Sequence, residues 1–109
     1  MREIEFRAWD IEKKKYKYPK LWDNTMPSNW DKHYILEQYT GLKDKNKTKI
    51  FEGDLVQLEN SVRVFEFFMN CFWLIHPQKG FKFPINMVTE DYLKSIEVIG
   101  NIHQHKHLL

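Results

Sequence analysis

Cys71 is the only cysteine in the 109 residues, so no disulfide can form within the chain. A single thiol fits a reducing compartment and does not fit a small secreted scaffold stapled by disulfides. No stretch approaches the roughly 20 consecutive apolar residues that a membrane-spanning helix needs. The first residues, MREIEF, carry charge where an export signal has its apolar centre. A cytoplasmic protein is expected, with neither export nor membrane insertion. Internal repeats and low-complexity tracts are also missing. No motif sets a nucleophile or general acid beside a partner base, so neither an enzymatic activity nor a cofactor is expected.

What is present is a foldable composition. Hydrophobic residues make up 42% and aromatics 16%, including Phe 8 and Trp 4, which excludes the apolar-poor composition of disordered chains. At 13.4 kDa the chain suits one domain. The formal net charge is only +2, but residues 11–20 and 41–50 together carry +7, leaving −5 for the rest. Local patches therefore matter more than the total.

The hydrophobic periodicity predicts a mainly β protein. In REIEFRAW, Ile4, Phe6 and Ala8 alternate with Glu3, Glu5 and Arg7, the period-2 pattern of a strand over 2–9 with one buried face. A weaker alternation through Tyr16 and Tyr18, with a turn at 10–14, predicts a hairpin. Residues 21–30 mix Trp, Asn, Pro and Ser without a period and read as an irregular connection. A short strand at 34–38 leads to Thr40 and Gly41, and 43–49 reads as an exposed lysine-rich loop. Further strands are expected from Gly53 to Leu58, at 62–69, 72–76, 81–84 and 95–102, with a helical turn or two within 85–93. Five short strands between about 53 and 102 suggest a small bent barrel, because closure removes exposed edges. Gly100 marks a bulge or a close backbone approach.

Each conspicuous residue group has a bland reading beside a functional one. In GDLV, Gly53 supplies an unusual dihedral and Asp54 caps the turn through nearby amides, which is structural rather than catalytic chemistry. His103, His105 and His107 project to one face if the tail is extended and then have the donor type for zinc or nickel; otherwise they are a solvated tail. Lys13, Lys14, Lys15, Lys17 and Lys20, interleaved with Tyr16 and Tyr18, have the makings of a phosphate-and-base contact surface, as does the loop of Lys43, Lys45, Lys47 and Lys49. The same lysines suit a solvated sheet edge. Phe65, Phe67, Phe68, Phe72 and Trp73 fall on both faces of their strands, so a second apolar face needs cover from the N-terminal hairpin or from another subunit. Homo-oligomerisation would supply the latter. Cys71 reads as a small buried residue rather than a nucleophile.

Three blocks, MREIEFRAWD at the start, QYTGLKDKNKTKIFEGDLVQL at 38–58 and EVIGNIHQHKHLL at 97–109, resemble in order and spacing the YopX family of small phage and prophage proteins. The resemblance spans the chain and implies an SH3-like β-barrel in the C-terminal half. It implies no established activity and transfers no catalytic residue. The expected organisation is one domain over 1–109, with the N-terminal hairpin and irregular connection in 1–37 and the barrel and tail in 38–109. Two departures stand out: Asn46-Lys47 replaces the family's frequent Asn-Gly at the loop tip, and HQHKH replaces an acidic, proline-containing tail. The leading expectation is a non-enzymatic phage accessory protein in the host cytoplasm, binding a protein partner or itself, with no membrane and no small-molecule substrate. Nucleic-acid binding through the lysine patches and inhibition of a host defence or replication enzyme are the alternatives.

Overall fold

A computed structural model describes residues 4–18, 33–59, 61–68, 71–77, 79–84 and 88–109. The irregular connection expected at 21–30, and Lys20 with it, lie outside the described residues. Among the described residues nine strands form two antiparallel sheets. The first has the order β2-β1-β3-β4, from β1 (Phe6–Asp10), β2 (Lys15–Lys17), β3 (Tyr34–Lys43) and β4 (Lys49–Phe51). The second, a curled half-barrel, has the order β8-β7-β6-β5-β9, from β5 (Asp54–Leu58), β6 (Ser61–Phe68), β7 (Cys71–Ile75), β8 (Lys82–Pro84) and β9 (Ile96–Asn101). One helical turn, α1 (Glu90–Leu93), precedes β9. The protein is thus mainly β, as the periodicity predicts.

The N-terminal hairpin forms with Trp9 opposite Tyr16 and Asp10 opposite Lys15. β1 also pairs along its other edge with β3, placing Arg7 opposite Glu37. The alternation in β1 misplaces its charged residue. Arg7 is buried, whereas Ile4 is 57% exposed. A guanidinium stays inside because two buried carboxylates meet it, which period-2 reading of hydrophobicity cannot detect. β3 also runs past the expected end at 38 to Lys43, through an irregularity between Tyr39 and Lys43 where Gly41 takes φ +87°.

Two apolar clusters lie on the two faces of the curled sheet. Val56, Leu58, Phe65, Leu74 and Ile96 pack with Ile50, and Leu42, Tyr92, Leu93 and Val98 cover them. On the other face Leu55, Val64 and Ile75 pack against Trp73, Ile99, Ile102 and Leu108. Residues of the C-terminal segment therefore help cover the second face, a contribution that the sequence reading did not include. Ile102 and Leu108 are half-buried, so each contributes less than the roughly 1.5–3 kcal/mol of a fully buried large side chain. The segment ends in a 3-10 turn at Lys106–Leu108.

Bonds outside the regular ladders hold the half-barrel at two seams, one that lengthens the pairing of β5 with its neighbours and one against the β3–β4 loop. Gly53 N–H donates to Phe65 O at 2.6 Å, and Gly53 O accepts from Ile102 N–H at 2.9 Å. At the other seam Lys45 N–H donates to Ile96 O at 3.1 Å, and the Asp44 carboxylate accepts from Val98 N–H at 2.8 Å. In β9 the register slips, with Leu55 opposite Gly100 and Val56 opposite Val98. A Cβ at Gly100 would land in the His105 ring, so the bulge and the close approach predicted there both occur.

Candidate functional site

The register of the first sheet puts Arg7, Trp9, Tyr16 and Glu37 on one face, directed at the turn between β4 and β5. Arg7 is held on two sides. Its Nε donates to Glu37 Oε1 at 2.8 Å, and its Nη2 lies 2.7 Å from Asp54 Oδ1. Nη2 also donates to Glu52 O at 3.3 Å. Tyr16 Oη donates to Glu37 Oε1 at 3.0 Å, and Nε2 of His103 lies 2.8 Å from Glu37 Oε2. The second oxygen of Asp54 accepts from Phe51 N–H at 2.8 Å. That last bond is the turn-capping role expected of Asp54; the ion pair with Arg7 is additional.

Aromatic rings wall the cluster off from water. The Arg7 guanidinium carbon sits 4.1 Å from the centroid of Tyr16 and 4.8 Å from that of Phe51. The His103 ring stacks on Trp9 with centroids 4.7 Å apart and planes 8° from parallel. Such low-dielectric surroundings strengthen each internal bond and penalise each unpaired charge. Burial pushes the Asp54 carboxyl up to about 6, against the downward pull of Arg7 and the Phe51 amide. It pushes the Tyr16 phenol far above its ordinary value too, with Arg7 opposing. Burial lowers the Arg7 guanidinium, but Asp54 and Glu37 more than restore it. Among the described residues, no buried side-chain nitrogen or oxygen lacks a hydrogen-bond partner. The groups thus spend their bonds on one another, as a buried polar tie between the first sheet, the β4–β5 turn and the C-terminal segment.

The histidines are not an extended row. Asn101 Oδ1 accepts from His103 N–H and Gln104 N–H, each at 3.0 Å, bending the chain. Nδ1 of His105 accepts from Asn101 N–H at 3.1 Å. His103 and His105 are thereby committed to different partners, while the His105 and His107 rings remain 6.0 Å apart. Among the described residues no cluster of three His, Cys, Asp or Glu is arranged to hold a metal ion.

The lysine candidates separate into two groups. Lys15 pairs with Asp10, which pairs with Tyr34, whereas Lys43 lies at the far end of β3. Nine residues of strand put the two levels about 25–30 Å apart at ~3.3 Å per residue. Lys13, Lys14 and Lys15 are exposed and Lys17 is half-buried at the hairpin end. Tyr16, expected as a surface stacking residue, turns inward instead because it shares the face of Trp9. Tyr18 is exposed, with its ring 6.2 Å from Phe51.

At the other end, Lys43, Lys45 and Lys47 are exposed around a loop clamped by Asp44. Asp44 Oδ1 accepts from Asn46 N–H at 2.8 Å and Thr48 N–H at 2.9 Å. Lys47, not a glycine, takes the left-handed position at φ 63°. Lys49 pairs with Glu5. The sequence pointed to the lysines here but missed the aspartate that shapes their loop; Asp44-Lys-Asn, a side chain capping the amide two residues on, is the signal that was available.

A third feature is apolar. Register places Phe67 opposite Phe72 and Leu74 opposite Phe83, so the inner face of the half-barrel continues past the core toward β8. Phe67, Phe81 and Phe83 are 44%, 56% and 40% exposed there.

A model of the family described as YopX protein matches residues 17–109. The crystal structure of protein EF1440 from Enterococcus faecalis is similar with a TM-score of 0.67 and 26% sequence identity, covering 100% of this chain and 99% of that one. No curated protein sequence matches the chain. The family match covers most of the sequence, and the solved structure shares the architecture from end to end. The chain belongs to the YopX family.

Proposed function

We propose that this protein is a non-enzymatic interaction module of the kind phages and prophages carry, acting in the host cytoplasm by surface recognition of another polypeptide. The observation that carries the reading is the aromatic patch that continues the half-barrel's inner face toward β8, where Phe67 on the central strand β6, Phe83 on the edge strand β8 and Phe81 beside it are exposed. Aromatic side chains supply large contact area at low entropic cost and are enriched at interfaces. The buried Arg7–Glu37–Asp54 cluster supports a structural role for the charged residues, since its bonds are directed inward. A second copy of the chain is the first partner to test. Solution mass over a concentration series, for wild type and Phe81→Ser/Phe83→Ser, tests it: association that the double substitution abolishes supports self-recognition through the patch. A wild-type monomer at every concentration removes the second copy as the partner and directs the search to other chains.

Nucleic-acid binding is the second reading, and the spacing of the lysine groups bears on it. A strand tracking both would have to span the length of the first sheet, past the exposed carboxylate of Glu12 beside the hairpin lysines.

A further inference from the structure

The lysine-rich loop does not stand alone. Lys43, Lys45 and Lys47 meet Lys94, at the end of α1, around a surface cavity of about 310 Å³ with Leu93 and Glu90 in its wall. We propose that this cavity binds a compact phosphate-bearing anion, of the charge and size of a phosphate monoester or a pyrophosphate.

Several independent observations converge on that class. The volume lies at the lower end of small-ligand pockets, which run from about 300 to 1,000 Å³, so it suits a small anion. The lining itself sets four ammonium groups against the carboxylates of Asp44 and Glu90, a formal +2, while Glu97 and Asp91 outside it pair with two of those lysines and leave Lys43 and Lys47, among the described residues, as the uncompensated charges. Asp44 does not project a free charge into this space, because its oxygens accept from the amides of Asn46, Thr48 and Val98. Lys45 lies 3.3 Å from Glu97 and Lys94 lies 3.8 Å from Asp91. Among the described residues Lys43 and Lys47 have no such carboxylate partner. Lysine, a point charge with rotatable donors, binds phosphate readily, whereas planar carboxylate recognition favours arginine.

The backbone that presents these lysines is fixed before any ligand arrives. Asp44 N–H donates to Thr48 O at 2.9 Å, Lys47 N–H donates to Asp44 O at 2.9 Å, and Lys45 N–H ties the loop to β9. Preorganisation of this kind lowers the ordering cost of binding. α1 is capped by Thr89 Oγ1, which accepts from Tyr92 N–H at 3.2 Å, and is tied to β6 by Arg63 Nη1, which donates to Tyr92 Oη at 2.9 Å. Lys94, 51 residues from Lys43 in sequence, comes to the same cavity only through the fold.

The test is a titration of the full-length, isotope-labelled protein with pyrophosphate, and separately with a short single-stranded oligonucleotide, followed by amide chemical shifts. Pyrophosphate is expected to give saturable shifts at residues 43–48 and 90–95. Lys47→Gln/Lys94→Gln should weaken binding about fivefold or more, while Lys13→Gln/Lys14→Gln at the far end of the sheet leaves it unchanged. Lys94→Gln alone, at a largely exposed position, serves if the double variant is unstable. The absence of saturable shifts at these residues would overturn the proposal, as would binding that ignores the Lys47 and Lys94 substitutions. Oligonucleotide binding at these residues without pyrophosphate binding would overturn it too, assigning the lysines to a nucleic-acid strand.

Discussion

His103 and Glu37, 66 residues apart in sequence, meet with Nε2 and Oε2 at 2.8 Å. The contact joins the C-terminal segment to the middle of β3 and brings the same carboxylate into the reach of Arg7 and Tyr16. A terminal histidine that would be solvated in an extended tail is only 13% exposed by its side chain. The fold is therefore tied through charge at a point where its two sheets and its terminus come together.

Removing the cation should be severe. Arg7→Met leaves Glu37 and Asp54 buried without their shared partner, and breaking a buried pair of this kind costs about 3–5 kcal/mol. Urea denaturation of wild type and variant measures the difference. A loss below about 1 kcal/mol would resemble a surface pair and contradict the description of the cluster.

Asp54 gives a pH dependence of defined sign. Its carboxyl, pushed up to about 6 by burial, takes up its proton at higher pH in the folded chain than in the unfolded one, where it titrates near 3.9. Protonation between these values favours the folded state, so this group's contribution grows as pH falls from about 6 toward 4 and is lost as pH rises through about 6. Asp54→Asn removes that uptake. The stability of wild type relative to Asp54→Asn should therefore rise as pH falls across this window, by at most ~1.4 kcal/mol per pH unit. A gap that moves the other way would mean that the pull of Arg7 outweighs burial.

Two glycines with similar backbone angles should respond differently to alanine. Gly41, at φ +87°, has nothing within 4 Å of a built Cβ, whereas at Gly53, φ +83°, the Cβ would lie 2.5 Å from Glu37 Oε2. Gly41→Ala should cost only the left-handed penalty of about 1–2 kcal/mol. Gly53→Ala should cost more, because Glu37 is held by Arg7, Tyr16 and His103 and cannot swing aside freely. Thermal denaturation of both variants compares them; equal losses would show that Glu37 is not fixed.

Asp44→Ala tests the loop clamp. Three amides lose their acceptor, those of the exposed Asn46 and Thr48 and of the half-buried Val98, and an ordinary hydrogen bond is worth about 0.5–1.5 kcal/mol net. Hydrogen exchange at Thr48 and Val98 should accelerate well beyond the change seen elsewhere. Unchanged protection at Val98 would separate the loop from β9.

The local features of the fold were legible in the sequence, and the long-range ones were not. Alternation in Phe6–Trp9, the turn at GDLV and the apolar runs after Val62 specify strands and bends through neighbours in the chain. Gly100 announced a bulge because little else tolerates the ring of His105 against the backbone. Arg7 read as an outward residue of β1 since its partners, Glu37 and Asp54, come from β3 and β5. Tyr16 read as a surface ring among lysines because the pattern alone does not say which face of a hairpin turns inward. The C-terminal cover was missed for a similar reason: no apolar residue lies between Ile102 and Leu108 to mark a periodicity, and the Asn101-centred turn bends the segment that carries both to Leu55 and Val64.

The claim that the aromatic patch is a recognition surface is tested most directly by using the intact protein as immobilised bait in bacterial lysate supplemented with its own free chain. Wild type and Phe81→Ser/Phe83→Ser are compared at matched stability. The account expects one or more polypeptides to be held by wild type and reduced at least about tenfold on the variant, the loss of some 1.4 kcal/mol that truncating an interface aromatic produces. Identical sets bound in equal amounts by both proteins would contradict it.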